Sequence, residues 1–168
     1  MSDKKYEFTG LEKVNLWGYT VKQIRALVDI PGASVRTGDV GGWIESEQLT
    51  NGDARVYGDA WVFGNAQVFG NAQVFGDARV EKLSDFMMVG PIGSERMTAT
   101  LFRTKNGKHT LNVGCWTGTI GTLSAEVKRR RELWSVDDLT QEMWVSQYKA
   151  LKALGKATVA SWKRVSDE

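Results

Sequence analysis

GDARVYGDAWVFGNAQVFGNAQVFGDARVE, residues 52–81, is one six-residue phrase repeated five times without a gap. Each unit reads Gly, Asp or Asn, Ala, a variable residue, Val and an aromatic ring; only the last, ending on Glu81, loses its ring. A period of six marks a parallel β-helix, with one short strand and one corner per unit. Side chains alternate across a strand, so the Ala and Val of each unit share a face. Their recurrence makes that face the inner one, holding Val56, Val62, Val68, Val74 and Val80, with Ala54, Ala60, Ala66, Ala72 and Ala78 beside them. Gly followed by Asp or Asn fits the corners, because Gly takes positive φ without penalty and Asn or Asp tolerates it. The rings of Tyr57, Phe63, Phe69 and Phe75 then point outward, more apolar surface than a monomer of this size shows to water. They are the candidate interface of a homo-oligomer.

The chain has 168 residues, a net charge of +2 and one cysteine, Cys115. No apolar run reaches the ~20 residues of a membrane span, and the opening MSDKKYEF lacks the apolar core of a signal peptide. A bacterial or host cytoplasm is the expected compartment, with no membrane partner. A single cysteine excludes an intrachain disulfide and a cysteine-rich zinc site. Charge is uneven: residues 1–81 carry 8 basic and 11 acidic side chains, and residues 82–168 carry 14 and 9. An anionic partner would therefore belong to the second half.

Outside the repeat the patterns change. Tyr6, Phe8 and Leu11 alternate weakly, and Val21 to Ile30 is an expected strand. Phe86 to Val89 forms an apolar strand ended by Gly90-Pro91. Met97 to Thr104 and Lys108 to Cys115 are strand-like around Asn106-Gly107, the preferred type I′ hairpin dipeptide. Leu123, Val127 and Leu133 predict a first helix. Ser135 is the expected cap of a second, whose stripe is Leu139, Met143, Trp144, Tyr148, Leu151 and Leu154, with Gly155 as its stop and a short last helix at 157–165.

The repeat resembles the left-handed parallel β-helix of hexapeptide-repeat proteins, which implies three units per coil, stacking of residues eighteen apart, and a homo-oligomer that is a trimer before a dimer. Gly41-Gly42-Trp43-Ile44 lies eighteen residues before Asp59-Ala60-Trp61-Val62, so Trp43, Trp61 and Arg79 are expected as one outward ladder. The stretches KYEFTG, RALVDIPGASVRTGDVGGWIESEQL and MMVGPIGS…GCWTGT, with the repeats, resemble a family of small hexapeptide-repeat proteins of unassigned function, common in bacteriophage and prophage genomes. The likeness covers about residues 4–122. The family's Glu-rich and Tyr-Arg-rich ending is matched only loosely by KRRRELW and QYKALKAL. The expected fold is mainly β: an N-terminal capping segment (1–38), a short left-handed parallel β-helix (39–81), and an α+β C-terminal region (82–168) with a hairpin and two or three helices.

An acyltransferase, which proteins of this fold often are, needs a histidine general base, and His109 is the only histidine. A Cys115–His109 pair, six residues apart on one strand, would be separated by roughly 20 Å. No catalytic residue, metal or cofactor is expected. Gly93, Ser94 and Arg96 form a Gly-rich turn with donors that suit an anion. Arg103 and Lys105 add charge, and Cys115, Trp116 and Thr117 add a small-residue loop with a stacking ring; these eight are the candidate ligand site. Lys128 to Arg131 read as a solvated helix end, and nucleic acid is not an expected partner. The expected function is that of a phage-encoded, non-enzymatic binding protein, a counter-defence factor that binds a host protein or sequesters an anionic, nucleotide-like ligand. A trimerising structural stem and an acyltransferase-like enzyme are the alternatives.

Overall fold

The computed structural model describes residues 4–14, 18–29, 35–49, 55–58, 60–62, 64, 68 and 73–165. The chain divides into two compact units, Met1–Asp85 and Phe86–Glu168.

In the first unit β1 (Tyr6–Val14) pairs antiparallel with β2 (Thr20–Ala26), and β2 pairs antiparallel with β3 (Val40–Ile44). Four two-residue strands follow: β4 (Arg55–Val56), β5 (Trp61–Val62), β6 (Gln73–Val74) and β7 (Arg79–Val80). The eighteen-residue spacing is visible in their pairing. Trp43 stands beside Trp61 and Trp61 beside Arg79, in parallel; Val56 stands beside Val74. The sheets are a five-stranded one, ordered β1-β2-β3-β5-β7, and a two-stranded one, β4-β6.

The expected mainly β fold built on a left-handed β-helix is therefore corrected. The architecture is α+β, with antiparallel and mixed sheets and two helices, and no solenoid is indicated among the described residues. The physical reason lies in the strands ahead of the repeat. β1 and β2, with nine and seven residues, are the unit's longest strands and pair antiparallel. The two-residue repeat strands add parallel rungs to the sheet those strands lead. A hexapeptide period sets which rungs are neighbours but not what the remaining edge pairs with.

The inner-face residues are buried: Val56 is 4% exposed, Val68 1%, and Val62, Val74, Val80, Ala60 and Ala78 are fully enclosed. Ala54, Ala66 and Ala72, and the expected interface rings Phe63 and Phe69, lie outside the described residues. Tyr57 and Phe75 stack face to face, 5.0 Å between centroids and 12° between planes. The Arg79 guanidinium lies 4.5 Å from the Trp61 ring centre. Trp43, expected to face outward with them, is only 5% exposed, because Lys13 of β1 covers its ring at 3.9 Å and Val21 packs with it.

The second unit is a four-stranded antiparallel sheet, β11-β10-β9-β8, formed by β8 (Phe86–Ile92), β9 (Met97–Arg103), β10 (His109–Val113) and β11 (Trp116–Gly118). β8 continues through Gly90-Pro91 instead of ending there. The hairpin forms, but not by the expected type I′ turn: Gly107 donates to the Thr104 carbonyl and Thr104 to the Lys108 carbonyl, both at 3.0 Å, and Gly107 has positive φ while Asn106 does not, so the loop has three residues. Ala99, Leu101, Leu111 and Val113 form one core with Leu123 of α1 (Leu123–Arg131) and Tyr148, Leu151 and Trp162 of α2 (Asp138–Val165). Each fully buried Leu here contributes about 1.5–3 kcal/mol.

The helices differ from expectation in three ways. The carboxylate of Asp137 accepts the Thr140 N–H at 2.9 Å and the Thr140 hydroxyl at 2.7 Å, so Asp137, not Ser135, caps α2. α2 passes Gly155 without stopping and absorbs the segment expected as a separate helix. Gly155 is buried where a Cβ would run into the Ile120 side chain, so the glycine serves close approach rather than termination. Leu133 lies beyond α1 and is 72% exposed. Among the described residues no helix is long and apolar enough to cross a membrane.

Candidate functional site

Three turns of the second unit meet at one cleft of about 370 Å³. Ser94 and Glu95 come from the β8–β9 turn, Cys115 from the β10–β11 turn, and Leu133 to Val136 from the α1–α2 connection; Arg129, Arg130 and Trp144 complete the lining.

Each turn is held by contacts of its own. In the first, Gly93 and Arg96 have positive φ, 70° and 50°, and the Arg96 N–H donates to the Gly93 carbonyl at 3.2 Å. The Gly93 N–H donates to Gln147 Oε1 of α2 at 2.8 Å. The Tyr148 ring fills the space a side chain at 93 would need, so only glycine fits there. In the second turn the Asn112 amide donates to the carbonyls of Gly114 and Trp116 at 3.1 and 3.2 Å and to the Thr117 hydroxyl at 3.3 Å, fixing the corner that presents Cys115. In the third, Trp134 and Trp144 pack edge to face, 5.1 Å between centroids and 73° between planes.

The charges sit on α1. Glu126 is followed at i+3 and i+4 by Arg129 and Arg130, the spacing at which helical side chains meet. Its carboxylate accepts Arg129 Nε and Nη2, both at 2.8 Å, and Arg130 Nε at 2.7 Å. Arg130 also donates to the Tyr148 hydroxyl at 3.3 Å and the Val113 carbonyl at 3.1 Å. The hydrogen bond from Arg129 holds the Glu126 carboxyl down to about 2, with Arg130 adding to it against the opposing effect of burial. Burial pushes the Tyr148 phenol up. Arg131 pairs with Glu142 of α2 at 2.6 Å. The basic run is therefore not the freely solvated end that its sequence suggested: three of its four side chains are in ion pairs.

Of the expected ligand residues, the structure brings Ser94 and Cys115 together in the cleft lining. Gly93 and Arg96 belong to the same turn as Ser94. Trp116 packs against the helix-side core, and the Thr117 hydroxyl is engaged by Asn112. Arg103 and Lys105 lie at the other end of β9, roughly 20 Å away at ~3.3 Å per residue. Arg129, Arg130, Trp134 and Trp144 were not expected in the site. The Glu126, Arg129, Arg130 spacing was the available signal for the first two; the indoles, ten residues apart across a loop, gave none.

His109 Nε2 accepts the Ile120 N–H at 3.2 Å, so the nitrogen facing that loop is already in use. Among the described residues no cluster of His, Cys, Asp or Glu could hold a metal ion. Arg129 is 61% exposed, a guanidinium oriented from below by a buried carboxylate. Compared with protein-family models, curated proteins and solved structures, the chain matches none.

Proposed function

We propose that this chain is a non-enzymatic binding protein, phage-encoded as the resemblance implies, that acts as a counter-defence factor by holding a segment of a host protein in the cleft of its second unit. The observation that carries the docking part is the Arg129 guanidinium, braced by Glu126 beside the perpendicular indoles of Trp134 and Trp144. Trp and Arg dominate the energetics of protein–protein contacts, because a braced guanidinium and a rigid ring lose little entropy on binding. Local charge favours a peptide over a nucleotide. Glu126 and Glu95 balance Arg129 and Arg130, whereas a polyphosphate calls for a net excess of positive charge. Two amides of the Gly-rich turn are also engaged internally, those of Gly93 and Arg96. The resemblance implies no function of its own, and the counter-defence role rests only on the class of small phage accessory proteins, which often act against host defences.

A display library of peptides tiled from bacterial proteins, followed by calorimetry on the selected sequences, tests the reading. Selected peptides are expected to place a carboxylate beside an aromatic or long aliphatic side chain. Arg129→Ala and Trp134→Ala should each weaken them at least about tenfold, the scale of a hot-spot contact. Failure to enrich any peptide, with measurable binding of ATP or a cyclic dinucleotide instead, would replace docking by nucleotide sequestration.

A further inference from the structure

Helix α2 buries one face through Tyr148, Leu151, Gly155 and Trp162 and leaves the opposite face bare. At 3.6 residues per turn, Leu139, Met143, Ala150 and Leu154 fall on that outer face. The three large ones are 83%, 51% and 52% exposed. A helix in water ordinarily carries polar residues there. Charges along one flank of the stripe are segregated: Asp138 and Glu142 stand at its N-terminal end, Lys149 and Lys156 at its C-terminal end, all exposed.

We infer that the outer face of α2 is the docking surface for a second copy of this chain, with two α2 helices packed antiparallel about a two-fold axis beside Ser146. Leu139, Met143 and Leu154 do not line the cleft. The argument is complementarity. With the axis between positions 146 and 147, Leu139 stands opposite Leu154 of the second copy, and Met143 opposite its Ala150. Along the flank, Glu142, which also pairs with Arg131 of its own chain, meets Lys149 and Asp138 meets Lys156, each twice, as an isologous contact requires. A parallel two-fold pairing would turn this flank away from the same flank of the second copy and form neither pair. Ser146 at the crossing and Ala150 beside it are small, which suits helix axes 8–10 Å apart. A contact from 139 to 154 is about 23 Å long, at the low end of interface sizes. A reversible dimer with Kd on the order of ten micromolar is expected.

The test is disulfide trapping in the full-length chain, with Cys115→Ser as background, at about 100 μM so that such a dimer is populated. In the two-fold arrangement Ser146→Cys lies almost level with its own copy, while Leu139→Cys lies about 22 Å along the axis from its copy. Ser146→Cys should give a linked dimer under mild oxidation, and Leu139→Cys should not. Adding Lys149→Glu should abolish the dimer, and adding Glu142→Lys to that should restore it. Linking at both positions or at neither would overturn the inference, as would failure of the charge swap to restore linking. A Ser146→Cys cross-link formed only to a bacterial protein would assign the face to another partner and equally overturn it.

Discussion

Replacing Glu126 by Gln isolates the charge that organises the cleft. Glu126 is 8% exposed, and its carboxylate meets Arg129, 61% exposed, and Arg130, 11% exposed. Its carboxyl falls from an ordinary 4.5 to about 2 in the folded chain. A shift of that size corresponds to roughly 3 kcal/mol, and the solvent around Arg129 reduces it to about 2 kcal/mol. Because the folded value lies below the unfolded one, the contribution is complete above pH ~4.5 and is lost as pH falls toward 2. Glu126→Gln keeps the shape and one acceptor but removes the charge, leaving Arg130 half-satisfied by Tyr148 and Val113. Denaturant unfolding followed by tryptophan fluorescence should show the variant about 2 kcal/mol less stable at pH 7, with the gap closing near pH 2. An equal gap at both pH values, or none at pH 7, would refute the reasoning.

Gly155→Ala should destabilise by about 1–3 kcal/mol despite the better helix propensity of alanine, because its methyl enters the space of Ile120; a thermal midpoint raised by the substitution would contradict the packing. Asp137→Ala should lower the denaturation midpoint at pH 7 through the lost cap on Thr140; an unchanged midpoint would contradict the cap. Val68→Asp should unfold the first unit, since Val68 is 1% exposed and an unpaired buried charge costs several kcal/mol. Retained protection of the amides around Val62 and Val80 in hydrogen exchange would exclude that burial.

Much of the local order was legible in the residues. The spacing of Trp43, Trp61 and Arg79 foretold their pairing, and Asn106-Gly107 foretold its hairpin. The global fold was not, because a six-residue period specifies parallel neighbours while the antiparallel pairing of β1 with β2 arises from residues that show little pattern. Gly155 misled for a related reason: glycine serves both helix termini and close contacts, and only the position of Ile120 tells them apart. The cleft was half visible. Ser94 and Cys115 stood out as residues of small-residue turns, but the turn carrying Trp134 lies next to theirs only once α1 and the strands have folded.

Peptide docking at Arg129 and its indole neighbours is tested most directly by titrating one selected carboxylate-plus-aromatic peptide into the wild-type chain and into Arg129→Lys by calorimetry. Lysine keeps the charge but lacks the planar fork that Glu126 grips from below. The predicted result is at least a tenfold loss of affinity in the variant with folding unchanged. Equal affinity for the two chains would contradict docking at this guanidinium.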